Sequence, residues 1–136
     1  MDKYSSLSKT IFSIFDSALW KLENIKTFPD NFTQTGGLTE FIRVSIIPSG
    51  GSRESTFKSA SGVLQIDIFI VSGNGPTQAF YIADRLDKYL VSTTTAIAQK
   101  GNIQLLQSSL APLGIDSANA GLYRYKYTIP FTFFEV

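Results

Sequence analysis

The side chains most often used in enzyme chemistry are scarce in this sequence, because its 136 residues include no histidine and no cysteine. Zinc sites of the usual Cys/His kind and Ser-His or Cys-His nucleophile pairs therefore cannot form within the chain. Asp84 and Asp87 are three residues apart on a predicted helix, a spacing that could bring two carboxylates together. Arg85 and Lys88 flank them, which is more typical of a solvated helix face. We therefore expect no catalytic residue, no metal, no cofactor and no enzymatic activity.

Two other patterns match ligand-binding motifs only in part. Gly73-Asn74-Gly75 precedes a predicted helix, as phosphate-binding loops do, but the complete dinucleotide-binding and Walker A spacings are absent. We interpret this segment as a turn. Aromatic residues alternate along residues 123–133 and could stack nucleic-acid bases, yet Arg124 and Lys126 fall on the opposite face of that strand. The pattern favours a buried aromatic face with a mildly basic outer face, and we expect no sequence-specific binding of nucleic acid.

The composition predicts a folded chain with little surface charge. Apolar residues make up 43% of the sequence and charged residues only 17%, against roughly 25% in a typical soluble domain. The net charge of +1 gives no strong field toward nucleic acid or anionic lipid. No apolar run approaches the length of a membrane-spanning helix, and the charges near the start of the chain argue against a signal peptide. We expect no membrane partner.

Hydrophobic periodicity predicts an α+β domain that occupies all of residues 1–136. The predicted order is α-β-β-α-β-β, a mostly antiparallel or mixed four-stranded sheet with two helices packed on one face. Residues 23–38, 48–61 and 111–121 are predicted loops, and Pro130 places the last strand at a sheet edge or at a bend. The predicted helices are residues 3–22 and 76–91, and the predicted strands are residues 39–47, 62–71, 102–110 and 122–134.

Two groups of residues are candidates for a protein interface. The first lies on the polar outer faces of the predicted strands: Arg43, Gln65, Asp67 and Arg124. The second lies in the loop at about 48–61, whose Gly, Ser and Pro content indicates a flexible hairpin tip that becomes ordered on a partner. Its charged residues and its single large apolar residue, the expected anchor, are Arg53, Glu54, Phe57 and Lys58.

Several segments together match a known family pattern. They are Ile42-Arg43-Val44-Ser45-Ile46-Ile47-Pro48, Gly62-Val63-Leu64-Gln65-Ile66-Asp67-Ile68-Phe69, Gly73-Asn74-Gly75, the helix with Ala79, Ala83-Asp84 and Leu86, Gly121-Leu122-Tyr123-Arg124, and Ile129-Pro130-Phe131. On these segments the chain resembles the tail terminator, or tail completion, proteins of long-tailed bacteriophages. The motifs are soft, with no invariant catalytic signature.

The resemblance implies a structural virion protein that acts by binding alone. Proteins of this family form a ring, usually of six copies, on the last ring of the tail tube. The implied partners are other copies of the chain, the tube protein and a head-side connector or stopper protein, with genome DNA passing through the lumen of the ring. The implied location is the head-proximal end of the tail, and the host cytoplasm during assembly. A monomeric adaptor, a head-tail connector of the neck, and a small enzyme that uses neither His nor Cys remain as alternatives.

Overall fold

The structure is a computed structural model, and it describes residues 3–29, 39–50, 58–90, 94–97, 101–117 and 121–135. Within these ranges the chain forms three helices: α1 (Lys3–Phe15), α2 (Ala18–Leu22) and α3 (Thr77–Leu90). The same ranges contain seven strands: β1 (Thr27–Pro29), β2 (Phe41–Gly50), β3 (Lys58–Val71), β4 (Thr94–Ile97), β5 (Gly101–Leu105), β6 (Ser109–Ile115) and β7 (Leu122–Glu135).

The predicted first helix, residues 3–22, is two helices in the structure. Ser17 interrupts it, because this residue has an extended backbone with φ −69° and ψ 151°. The Oγ atom of Ser17 accepts a hydrogen bond from the Trp20 amide at 3.2 Å and so caps the start of α2. The prediction for α3 is confirmed, with Ala79, Ile82, Leu86 and other expected residues on its buried side.

The sheet has seven strands, where the sequence predicts four. Its order is β1-β2-β3-β7-β5-β4, and β6 also pairs with β7. The two long strands, β3 and β7, are antiparallel neighbours over their whole lengths. On the far side of β7, β6 pairs with the first half of the strand and β5 with the second half. The α+β class is confirmed, and the number of strands and their order are corrected.

The missed strands lie in a predicted loop, in a predicted strand that is too long, or, for β4, in the unassigned segment between the predicted helix 76–91 and the predicted strand 102–110. β1 lies within the predicted loop 23–38 and pairs in parallel with β2, where the Ile42 amide donates to Lys26 O at 2.8 Å. The predicted strand 102–110 is divided between β5 and β6, and β6 extends into the predicted loop 111–121. Short strands of this kind carry too little periodicity to be recognised without their neighbours.

Pro130 does not mark an edge strand, since β7 lies inside the sheet between β3 and the β5–β6 pair. The backbone carbonyl of Pro130 accepts a hydrogen bond from the Leu106 amide at 3.0 Å, in the short connection between β5 and β6. A residue's N–H and C=O point toward the same neighbouring strand. The N–H that Pro130 lacks would therefore point toward the connection between β5 and β6, where β7 stops pairing with β6 and begins pairing with β5. No strand there needs this donor, so an interior strand can contain a proline.

The predicted loop 48–61 is too long at both ends. β2 continues to Gly50 and β3 begins at Lys58, with a bulge between Pro48 and Gly50. The serines and glycines there have little strand propensity of their own, but β3 gains a complete ladder with β7 that overrides it. Residues 51–57, with Arg53, Glu54 and Phe57, lie outside the described residues, so the predicted flexible tip is not tested.

The helices cover one face of the sheet, as predicted. We call this side the helix face; it carries a continuous core that α1, α2 and α3 complete, with fully buried Leu64, Ile66, Ile68 and Ile129 among its members. Burial of each such side chain stabilises the fold by roughly 1.5–3 kcal/mol. We call the opposite side the open face, because among the described residues the buried apolar side chains of the helices all join the core of the helix face.

Replacement of Gly62 by alanine tests the close approach of β2 and β3. Gly62 lies opposite Pro48 at the bulge, and a Cβ at this position would overlap Ile47 O and lie 2.9 Å from Pro48 Cα. Because the obstacle is backbone, the strands must separate, and we expect Gly62→Ala to lower the free energy of unfolding by about 1–3 kcal/mol. Urea unfolding followed by circular dichroism measures this loss. The control is Ser45→Ala on the same strand pair; equal midpoints for the two variants would contradict the packing described.

Candidate functional site

A buried carboxylate lies on the open face between two arginines. Asp67 is only 2% exposed. Arg124 donates to Asp67 Oδ1 from Nε at 3.1 Å and from Nη2 at 2.9 Å, and Arg43 Nη2 donates to Oδ2 at 3.4 Å. Gln65 Nε2 adds a longer hydrogen bond to Oδ1 at 3.4 Å. Both oxygens are therefore satisfied and the charge is paired, which offsets the cost of removing a carboxylate from water.

Strand register brings these four residues together. Asp67 lies on β3 directly opposite Arg43 on β2. Arg124 of β7 is opposite Phe69, which is two residues after Asp67 on β3. Side chains alternate between the two faces of a sheet, so Gln65, Asp67 and Phe69 all project to the open face. Arg124 then reaches Asp67 along the diagonal between neighbouring strands. Three strands thus contribute to one charged cluster.

The two arginines keep part of their surface available to a partner. Their side chains are 30% exposed at Arg43 and 31% exposed at Arg124. Each guanidinium has five N–H donors, and Asp67 occupies only one or two of them. Lys126 lies opposite Asp67 on the same face. Three cations and one carboxylate leave this cluster with a net charge of +2, and its fixed donors suit carbonyl or carboxylate acceptors.

An aromatic cluster borders the charged one on the open face. The rings of Phe41 and Phe69 stack at 4.5 Å, and the edge of Phe28 contacts Phe41 at 5.9 Å. Leu122 joins them, and all but Phe28 are buried. The guanidinium of Arg43 lies over the Phe69 ring at 5.2 Å, a cation–π contact that helps to fix its position. The open face therefore holds its arginines on a rigid apolar support.

The structure brings together four of the eight interface residues that the sequence predicts. Arg43, Gln65, Asp67 and Arg124 form the cluster described above. Lys58 begins β3 opposite Glu135, nine residues from Asp67 and so roughly 30 Å away along the strand. Lys58 is therefore not part of this cluster. Arg53, Glu54 and Phe57 lie outside the described residues.

Asp87 corrects the prediction of a solvated helix face on α3. Asp84 is exposed as expected, but Asp87 is half-buried and its Oδ1 accepts hydrogen bonds from Tyr127 Oη at 2.7 Å and Ser108 Oγ at 2.6 Å. Burial and the hydrogen bond to Asp87 raise the pKa of Tyr127 far above its ordinary value of 10.0. These contacts fix α3 to β7 and to the β5–β6 connection. Only the register of β7 beneath α3 could have revealed this role.

The other sequence motifs have structural roles. Gly73 and Gly75 have φ values of +89° and +79°, so the segment before α3 is a turn that requires glycine. The aromatic side of β7 forms the core beneath the helices, as predicted, with Tyr127, Phe131 and Phe133 buried there. Within the described ranges no cluster of three or more acidic side chains could hold a metal ion. None of the helices there is long and apolar enough to cross a membrane.

Comparison with known proteins identifies the fold in solved structures. No protein-family model and no curated protein matches this chain. A chain from the virion of a native gene transfer agent (GTA) particle matches with a TM-score of 0.66 and 11% sequence identity, over 96% of each chain. A second solved chain matches with a TM-score of 0.64 and 13% identity, over 96% of this chain and 92% of the other. At these identities the likeness shows a shared fold, and the fold accounts for nearly the whole of each chain.

Neutralisation of Asp67 tests the charged cluster. In Asp67→Asn the two arginines lose their counter-charge, and hydrogen bonds to a charged group are lost or weakened. We expect the free energy of unfolding to fall by about 2 kcal/mol. Urea denaturation at neutral pH provides the measurement. Lys21→Ala is the control, because the Lys21–Asp16 ion pair is highly exposed and its loss costs roughly 0–1 kcal/mol. A smaller effect at Asp67 than at Lys21 would contradict this account.

Stability at high pH tests the Tyr127–Asp87 contact. The pKa of Tyr127 is raised in the folded chain above the ordinary value of 10.0. The unfolded chain therefore releases this proton first, and the stabilisation is present below pH 10 and is lost as the pH rises beyond it. Tyr127→Phe should cost about 1 kcal/mol at neutral pH and should weaken the decline above pH 10. Unfolding curves at several pH values measure both, with Tyr81→Phe as control; identical declines in all three proteins would disprove the assignment.

Proposed function

We propose that this chain is a structural protein of a phage-like virion. We further propose that it closes the head-proximal end of the tail tube as a ring of six copies. In this role it stops tube polymerisation and provides the surface on which the head connector docks. The observation that carries the proposal is the match to a chain of a GTA virion over 96% of both chains. The finer assignment rests on the motif-level resemblance to tail terminator proteins.

The open face supports a function based on binding. Both oxygens of Asp67 accept hydrogen bonds from Arg43 and Arg124. The cluster therefore offers oriented hydrogen-bond donors and no free carboxylate for acid–base chemistry. Donors that are already oriented lose little side-chain entropy when a partner binds them. We propose that these arginines contact acceptors on a protein partner at the tube end. The net charge of +1 then makes attachment depend on local contacts more than on long-range attraction.

Termination requires two different contact surfaces on one ring. One surface binds the last ring of the tube, and the other receives the head-side connector and lacks the features that recruit another tube ring. A fold with one helix-covered face and one open face supplies surfaces of different chemistry. Genome DNA would pass through the lumen of the ring without being read, in keeping with the expectation of no sequence-specific contact. The chain would be in the host cytoplasm before assembly and in the virion afterwards.

Deletion of the gene tests this function directly. A phage-like particle without the chain should make overlong tail tubes and heads with no tail attached, because nothing occupies the growing end. Negative-stain electron micrographs of the lysate show both outcomes, and expression of the wild-type chain in trans should restore tails of normal length. Normal tails joined to heads in the deletion lysate would reject the terminator role and favour the monomeric adaptor.

A further inference from the structure

The short helix α2 presents two leucines to solvent. Leu19 is 66% exposed and Leu22 is 80% exposed. The buried ring of Trp20 makes edge contacts with Phe15 at 5.2 Å and with Tyr89 at 5.3 Å. Because Trp20 fixes the orientation of α2, the two leucines project into solvent. We call Leu19 and Leu22 the α2 patch. Large apolar side chains so far exposed on a rigid support are typical of a contact surface.

A second apolar surface lies around β6 and the first turns of α3. Ile115 is 62% exposed and Phe80 is 50% exposed. Ile115 pairs with Tyr123, the Tyr123 ring lies 5.3 Å from Tyr125, and Phe80 contacts Tyr125 at 6.1 Å, so the surface is continuous. We call Ile115, Phe80 and Tyr123 the β6 patch; Tyr125 is buried beneath them. A cavity of about 260 Å³ opens beside it, and its lining includes Tyr123, Tyr125 and the turn residues Gly73, Gly75 and Pro76.

The two patches lie toward opposite edges of the sheet. Trp20 Nε1 donates to Thr27 Oγ1 at 3.0 Å, which fixes α2 beside β1, the first strand in the sheet order. β6 lies beyond β7, four strand spacings from β1, or roughly 19 Å. The patches are therefore separate surfaces on one protomer. A contact between two different surfaces is heterologous, and its repetition around an axis generates a ring.

The charges beside the two patches are complementary. Lys26 is exposed four residues after Leu22 and has no ion pair among the described residues. Asp116 directly follows Ile115, and Asp84 is exposed on α3 four residues after Phe80; neither carboxylate has an ion pair in the described part of the chain. A cation thus lies close in sequence to the α2 patch, and two carboxylates lie close in sequence to residues of the β6 patch. This arrangement favours contact between unlike patches over contact between like ones.

We propose that the α2 patch of one protomer docks in the β6 patch of the next copy of this chain. Leu22 enters the cavity beside Tyr123, and Lys26 lies near Asp116 of the neighbouring copy. The contact repeats head to tail around the ring and leaves the open face available for other partners. This proposal rests on the ring of the proposed function and adds the two surfaces that close it.

Disulfide trapping tests the contact cleanly, because the chain has no cysteine of its own. The variants are Leu22→Cys and Ile115→Cys, each at an exposed position where a smaller side chain should not prevent folding. They are mixed and oxidised at high protein concentration, and also co-expressed and oxidised in purified virions. Non-reducing gels and mass spectrometry identify the linked peptides. The matched control replaces Ile115→Cys by Ile47→Cys, another exposed isoleucine, which lies on the open face.

The expected product is a dimer that joins Leu22→Cys to Ile115→Cys. We expect about tenfold more of it than of any dimer from Leu22→Cys alone or from the Ile47→Cys control. A chain with both cysteines should give a ladder that ends at the closed ring. A dominant Leu22→Cys homodimer, or no cross-link in either preparation, would overturn the docking proposal.

The mass of the wild-type assembly, measured without oxidation, distinguishes failure of the docking proposal from failure of the proposed ring. Light scattering on the concentrated protein and the copy number in purified virions establish whether a six-membered ring forms. If the ring forms and the specific cross-link does not, the docking proposal is wrong and the ring stands. If the chain is monomeric in both preparations, the ring of the proposed function fails and the docking proposal fails with it.

Discussion

The burial of Asp67 on the open face is the constraint on which the proposed site depends. A carboxylate that is 2% exposed must be paired, and Arg43 and Arg124 are brought to it by the register of β2, β3 and β7. A slip of one residue in either strand pair would turn an arginine to the helix face and remove one of the two arginines that pair with Asp67. The ion cluster therefore favours one register, and that register also aligns the apolar residues of the core. Fold and candidate site are specified by the same pairing.

Among the described residues the helices cover one face of the sheet, and this difference between the two faces supports the assembly that we propose. The helix face buries a continuous core, whereas the open face is stabilised by ion pairs and by the stacked rings of Phe41 and Phe69. Exposed leucines on α2 and the concave surface at β6 lie at the flanks of the sheet. In the arrangement we propose, the flanks join neighbouring copies and the open face contacts other components. Each region of the surface then makes one kind of contact, and none of these contacts requires a chemical reaction.

The elements with strong periodicity could be predicted from the sequence. Alternation in β3 and β7 and the apolar stripe of α3 identify the core face, and the same alternation places Arg43, Gln65, Asp67 and Arg124 on the other side. What escaped prediction depends on contacts distant in sequence. β1 forms because the Lys26 carbonyl accepts a hydrogen bond from the Ile42 amide. The polar start of β3 forms because β7 pairs with it, and the polar end of β2 pairs in turn with β3. The role of Asp87 depends on Tyr127 beneath it, forty residues further along the chain.

We propose that six copies of this chain form a ring at the head-proximal end of the tail tube. The most direct measurement is cryo-electron microscopy of intact virions, focused on the junction between tail and head. We expect a single six-fold ring between the last tube ring and the connector, with density that fits the seven-stranded sheet and its three helices. A junction in which this chain is absent, or is present as isolated monomers on another component, would show that the chain does not form this ring.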